Sequence, residues 1–222
     1  MQLIIMKKSI IFLSLIFISK VNSQQLEFGA NVGYSYSNIV NSNSDEKRVV
    51  IGNALWNTNY GLNALYYFKN PSENASARLN ILYRNSKKGS VSEINAKNKY
   101  EFSTNTIGLT GGIGGDVGDG FILYLDAGFG FSLINNNDIF IGNLSQNEAF
   151  EDISEDLLIK NNEFVFLYAL GVEKEISKKF KLYFEVNGDA SITKLNLSSG
   201  SYITQGIGFS LGIRYFIKFN KV

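Results

Sequence analysis

Eight charged side chains fall on positions that alternate with large apolar residues: Glu27, Arg78, Asp126, Glu173, Lys181, Glu185, Asp189 and Arg214. In the last segment, Ile207, Phe209, Leu211, Ile213, Tyr215, Ile217 and Phe219 take every second place, with Arg214 between Ile213 and Tyr215. Strict alternation has the two-residue period of a β-strand, whose successive side chains point to opposite faces. The charges therefore share the face opposite the apolar one. If that face is enclosed, they must be paired and hydrogen-bonded. Two chemistries follow. One is a salt-bridge network that fills an interior and fixes register; the other is a narrow proton or ion path, or a gate. Acids outnumber bases in this set, and Arg84 adds a base near the rim. Arg214 is the expected counter-charge to the acids of the first and seventh strands.

Catalytic chemistry has little to work with. The chain contains no cysteine and no histidine, which removes thiol catalysis, the commonest general base and any His/Cys metal cluster. Glu185 and Asp189 share a strand face, but at strand rise they stand about 13 Å apart, too far to act on one bond. Gly111-Gly112-Ile113-Gly114-Gly115 is glycine-rich, yet no helix follows it, so it reads as a strand end and turn rather than a phosphate loop. The expectation is a protein that is not an enzyme, with no catalytic residue, metal or cofactor.

Eight alternating segments must carry these charges: Leu26–Tyr36, Trp56–Phe68, Ala75–Tyr83, Tyr100–Gly114, Phe121–Leu133, Phe164–Lys174, Phe180–Ala190 and Ser201–Phe219. In the fourth, Tyr100 and Phe102 share one phase while Ile107, Leu109 and Ile113 hold the other. A one-residue bulge near Thr104–Thr106 reconciles them, because a bulge shifts the phase by one. Long connections (Ser37–Leu55, Arg84–Lys99, Ile134–Glu163, Ser191–Tyr202) alternate with short ones (Lys69–Asn74, Gly115–Gly120, Glu175–Lys179). Short turns join antiparallel neighbours, so the topology is an up-and-down meander closed by pairing of the last strand with the first.

Three features orient the faces. Glycines 29, 33, 61, 128, 130, 171, 208 and 212 crowd the polar face, as the narrow interior of an eight-stranded barrel requires. On the apolar face, Tyr34, Tyr36, Trp56, Phe129, Phe131, Phe164 and Phe166 gather toward the long-loop end, and Phe28, Tyr66, Phe68, Phe121, Phe180 and Tyr215 toward the short-turn end. Two aromatic belts around smaller aliphatics match a bilayer profile. The third is an N-terminal secretory signal: basic Lys7 and Lys8, an apolar core from Ser9 to Ser19, and a cleavage site after Ser23. Its removal takes three lysines and no acid, turning the formal charge of +1 into −2. A chain without a basic field is no nucleic-acid partner.

The signal, the eight-strand meander and the aromatic final segment Gly212-Ile213-Arg214-Tyr215-Phe216-Ile217-Lys218-Phe219 resemble the small outer-membrane β-barrel domain family, the porin-family or opacity-like proteins of Gram-negative bacteria. The resemblance spans nearly all of Gln24–Val222. It implies an all-β fold: an eight-stranded antiparallel up-and-down transmembrane β-barrel with short periplasmic turns and long extracellular loops. It also implies outer-membrane lipid as surroundings and insertion by the barrel-assembly machinery, for which a terminal aromatic is usual; here Phe219 is followed by Asn220-Lys221-Val222. The expected domains are a signal peptide, 1–23, and a monomeric barrel, 24–222.

The expected role is structural or surface-interacting, through the loops of a barrel with a filled polar lumen. A narrow porin-like channel and a secreted lipocalin-like carrier are the alternatives. The longest connection is acidic, with Asp138, Glu148, Glu151, Asp152, Glu155, Asp156 and Glu163 against Lys160 alone. Ser145-Gln146-Asn147-Glu148 matches a capping box, and Phe150, Ile153, Leu157 and Leu158 recur at helical spacing. This stretch is either a solvated acidic loop or a surface-contact helix. The connection with Lys87, Lys88, Lys97 and Lys99 is basic and is placed to pair with it across the barrel mouth.

Overall fold

The structure, a computed structural model, describes residues 25–41, 53–72, 75–92, 97–142, 151–152, 162–197 and 200–218. Ten strands follow one another: β1 (Gln25–Asn41), β2 (Asn53–Tyr67), β3 (Ser76–Ser92), β4 (Lys97–Gly118), β5 (Phe121–Gly142), β6 (Glu151–Asp152), β7 (Asn162–Glu175), β8 (Phe180–Ser191), β9 (Leu195–Leu197) and β10 (Gly200–Lys218). Each long strand pairs antiparallel with its neighbour in sequence, and β10 pairs back onto β1 from Lys218–Gln25 to Tyr202–Asn41. The result is a closed eight-stranded barrel, with β6 and β9 as short additions to β5 and β10. Closure leaves no sheet edge at membrane depth, as hydrocarbon requires.

Paired residues traced once around the barrel run from Phe28 through Ala64, Ile81, Leu109, Phe129, Phe166, Ala190 and Gln205 and return to β1 at Asn38, ten residues from the start. With about 3.3 Å per residue along a strand and about 4.8 Å between strands, that stagger gives a tilt of roughly 40° and a radius of about 8 Å. Such a cylinder holds side chains and little else.

The apolar face points outward. Val32, Leu62, Ile81, Leu109, Leu125, Leu170 and Leu211 are each more than half exposed, while the residues alternating with them are buried or partly buried. Clusters at the long-loop end include Tyr36 against Trp56 at 5.1 Å between ring centroids and Phe129 stacked on Phe164 at 5.5 Å. Tyr66–Phe68 and Phe180–Tyr215 mark the other end. The lipocalin-like alternative is thereby overturned, since a soluble carrier turns its apolar face inward around a ligand. Val32→Arg, at the middle of the lipid face, is expected to cost about 2–4 kcal/mol, read as a lowered urea midpoint of vesicle-refolded protein. An unchanged midpoint would place Val32 outside hydrocarbon.

Two expectations about the strands need correction. The fourth strand has no bulge near Thr104–Thr106: β4 pairs with β3 without a break from Gly114–Ser76 to Asn98–Ser92. The irregularity at that level lies on β5, where Ser103 faces Asn136 and Thr104 faces Ile134, leaving Asn135 as the extra residue. The extra residue of β4 itself is Val117 beside the short turn, between Asp116–Ile122 and Gly118–Phe121. Phe102 keeps the inward phase of Thr104 and Thr106 and is buried with Ile134. An inward phenylalanine is stable there because Ile134, paired with Thr104 two residues along β4, is itself a buried apolar residue.

The described part of the connection Arg84–Lys99 is strand rather than loop. β3 continues to Ser92 and β4 begins at Lys97. Above the lipid neither face need be apolar, so the ladder continues without the alternation that betrays a strand. Twenty-two residues of β4 or β5 tilted by roughly 40° cover about 55 Å along the axis, against an apolar band about 25 Å tall. The wall therefore stands well clear of the membrane.

Candidate functional site

Inward-facing side chains fill the barrel in layers. The layer nearest the short turns gathers seven of the eight expected charges. Lys181 on β8 donates to Glu27 on β1 at 2.6 Å and to Glu173 on β7 at 2.7 Å, with all three side chains fully buried. Arg214 on β10 pairs with Glu173 through Nη1, and its Nε lies 3.9 Å from Glu27. Arg78 on β3 reaches across to β5, its Nε 3.0 Å from Asp126.

Tyrosines tie these pairs together. Arg78 donates to the Tyr67 hydroxyl at 2.8 Å, and that hydroxyl donates to Glu173 at 3.2 Å. Tyr124 donates to Glu185 at 2.9 Å, and Asn187 donates to the other oxygen of Glu185 at 3.0 Å. The Arg78 guanidinium lies 3.9 Å from the centroid of the Tyr124 ring, and that of Arg214 lies 3.8 Å from the centroid of Tyr183. Cations stacked on ring faces gain electrostatic attraction that a narrow, desolvated lumen strengthens. Glycine makes the stacking possible: a Cβ at Gly171 would collide with the Tyr124 ring, and one at Gly212 with Tyr183.

Above this lies a layer of amides and hydroxyls. Asn31 and Asn63 both donate to the Tyr183 hydroxyl, at 2.9 and 3.2 Å, and Asn187 donates to Ser210 at 2.9 Å.

The eighth expected charge, Asp189, stands apart from the other seven, toward the long-loop end. There Lys88 on β3 extends across the lumen to Asp189 on β8, to Glu163 on β7 at 3.4 Å and to the Thr204 hydroxyl on β10 at 3.2 Å. Thr204 in turn donates to Glu163 at 2.9 Å. Lys88 and Glu163 are 3% and 0% exposed, so this is an interior cross-brace rather than a surface contact.

Several sequence expectations are redistributed. Arg214 meets Glu173 of the sixth barrel strand as well as Glu27, whereas the seventh-strand acids take other partners: Tyr124 and Asn187 for Glu185, Lys88 for Asp189. Lys88 and Glu163, read as members of a basic and an acidic loop, are lumen residues. Tyr67 is absent from the sequence reading, although the inward phase Asn59, Gly61, Asn63 runs straight on to Leu65 and Tyr67. Lys88 carries the same signal, being in phase with Arg78 and Asn80. Of the acidic stretch, Asp138 lies on β5, and Glu151 and Asp152 form β6 against Phe140 and Ile141 rather than helix. Glu148, Glu155, Asp156, the capping box, the signal peptide and Phe219 lie outside the described residues.

A closed antiparallel barrel with an apolar outer band, two aromatic belts and an ion-paired interior is an integral β-barrel of the Gram-negative outer-membrane type. The chain belongs to the outer membrane protein beta-barrel domain family, which matches residues 9–215. No curated protein matches it. Among solved structures it is similar to Ail, the attachment invasion locus protein of Yersinia pestis, in complex with the heparin analogue sucrose octasulfate, at 14% identity and a TM-score of 0.42, covering 86% of this chain and 99% of that one. It is also similar to Neisserial surface protein A, at 14% identity and a TM-score of 0.46, over 86% and 96% of the two chains. OprG of Pseudomonas aeruginosa gives 12% identity and a TM-score of 0.46, over 91% and 98%.

Proposed function

We propose that this outer-membrane barrel is a closed, non-catalytic scaffold that presents its tall wall and long connections at the cell surface. The observation that carries this reading is occlusion in series. The Arg78–Lys181–Arg214 layer with its tyrosines fills one end of the lumen, and the Lys88 brace crosses the other. A barrel about 8 Å in radius with both constrictions in place has no aqueous path for ions. The extension of β3, β4 and β5 beyond the lipid supplies a rigid surface for contact. A monomer suffices, because closure satisfies every long strand within one chain.

The test is planar-bilayer recording of the refolded protein. The expected result is a baseline without discrete steps across a wide salt range. Well-defined conductance steps that scale with salt would overturn the closed scaffold in favour of a narrow channel.

A further inference from the structure

One cavity, of about 340 Å³, lies in the wall where β8, β10 and β1 run side by side. Its floor is made of small residues: Ala190 faces outward from β8, and Gly206 pairs with Asp189 on the adjoining β10. Tyr168 of β7 forms one side. Its ring lies over Gly188, where a Cβ would collide with it, and its hydroxyl reaches the Gly206 carbonyl at 3.4 Å. Tyr36 of β1 and Ile207 of β10 form the apolar part, both more than a third exposed. Two residues further toward the loops on the same strands come Asn38 and Gln205, which also line it.

The lining is graded with depth. Apolar groups lie toward the membrane interior, at the level of the long-loop aromatic belt, and carboxamides lie toward the headgroups. The cavity is thus continuous with the lipid-facing band and has the polarity profile of one amphiphile standing in the outer leaflet. Among the described residues no basic side chain lines it, and the Asp189 carboxylate is taken up by Lys88 on the lumen side, so neither a phosphate or carboxylate head nor a cationic one finds a counter-charge. Carboxamides donate and accept, which suits hydroxyl and amide heads. We propose that this cavity is a lateral binding site for one lipid chain of the outer leaflet carrying an uncharged, hydrogen-bonding head such as a sugar or an amide.

Trp56, the single tryptophan of the chain, reports on the site because its ring lies 5.1 Å from Tyr36. The protein, refolded into neutral-lipid vesicles, is titrated with bromine-labelled alkyl glucoside, alkyl carboxylate and alkylammonium of one chain length. The expected result is saturable quenching of Trp56 by the glucoside, with half-saturation at least tenfold lower than for either charged probe. Ala190→Phe, which fills the floor from the lipid side, raises that half-saturation about tenfold. Leu125→Phe, on lipid-facing β5, leaves it unchanged. Heat-modifiable gel migration confirms that each variant is folded. Non-saturating quenching equal for the three heads and indifferent to Ala190→Phe would reduce the cavity to ordinary annular lipid and overturn the proposal. Preference for either charged probe would overturn the neutral-head assignment.

Discussion

Arg214→Leu is expected to destabilise the refolded barrel by about 3–5 kcal/mol, the cost of leaving a buried carboxylate without its partner. The arithmetic is local. Glu27 and Glu173 share two cations, Lys181 and Arg214. Removing Arg214 leaves two buried acids competing for one ammonium and strips the cation from the face of Tyr183. Adding Glu27→Gln to that variant is therefore expected to restore a large part of the loss, because Glu173 and Lys181 then form a one-to-one pair. Urea titration in vesicles, followed by the unheated-to-heated shift in gel migration, measures both. A single variant within about 1 kcal/mol of the parent, below the cost of an orphaned buried charge, would mean that water reaches this layer. A double variant less stable than the single one would mean that Glu27 serves something other than this pairing.

The second large effect is expected at Lys88. Lys88→Met leaves Glu163, fully buried, and Asp189 without their shared cation, at an expected cost of about 3 kcal/mol. Glu163→Gln in the same chain recovers much of it, since Thr204 can still donate to a carboxamide oxygen. The variant is not expected to conduct in a planar bilayer, because the Arg78–Lys181–Arg214 layer closes the lumen independently. This separates the two constrictions. Steps in Lys88→Met alone would show that the lower layer is no seal, and that the brace by itself holds the barrel shut.

Much of the architecture is legible in the chain because membrane burial imposes a pattern on consecutive residues. Phe121–Leu133 and Ile207–Ile217 each face lipid with every second side chain, and a period of two survives in the sequence whatever the strand pairs with. Legibility stops where the lipid stops. From Arg84 to Ser92 the strand continues on backbone hydrogen bonds to β4, but both faces carry polar residues, so the stretch reads as a loop. Phe102 is illegible for the opposite reason: an apolar residue in the inward phase looks like a change of face, and only the structure shows it buried inside the barrel near Ile134.

The site divides along the same line. Alternation alone placed Glu27, Arg78, Asp126, Glu173, Lys181, Glu185, Asp189 and Arg214 on one face, because facing depends only on parity within a strand. Partners depend on register between strands and on the tilt of the barrel. Strand order puts β3 across the lumen from β8 and its neighbour β7, and the ten-residue stagger sets the height at which Lys88 meets Glu163 and Asp189, at separations in sequence of 75 and 101 residues. The same stagger brings Arg78 within reach of Asp126, two strands away, and Tyr67, Tyr124 and Tyr183 onto the guanidinium groups. The sequence by itself determined a membrane barrel with its charges inside, since lipid acts on each residue separately. Which charge meets which, and that the lumen is crossed twice, only closure of the tertiary structure decided, because pairing across a cylinder is a property of all eight strands at once.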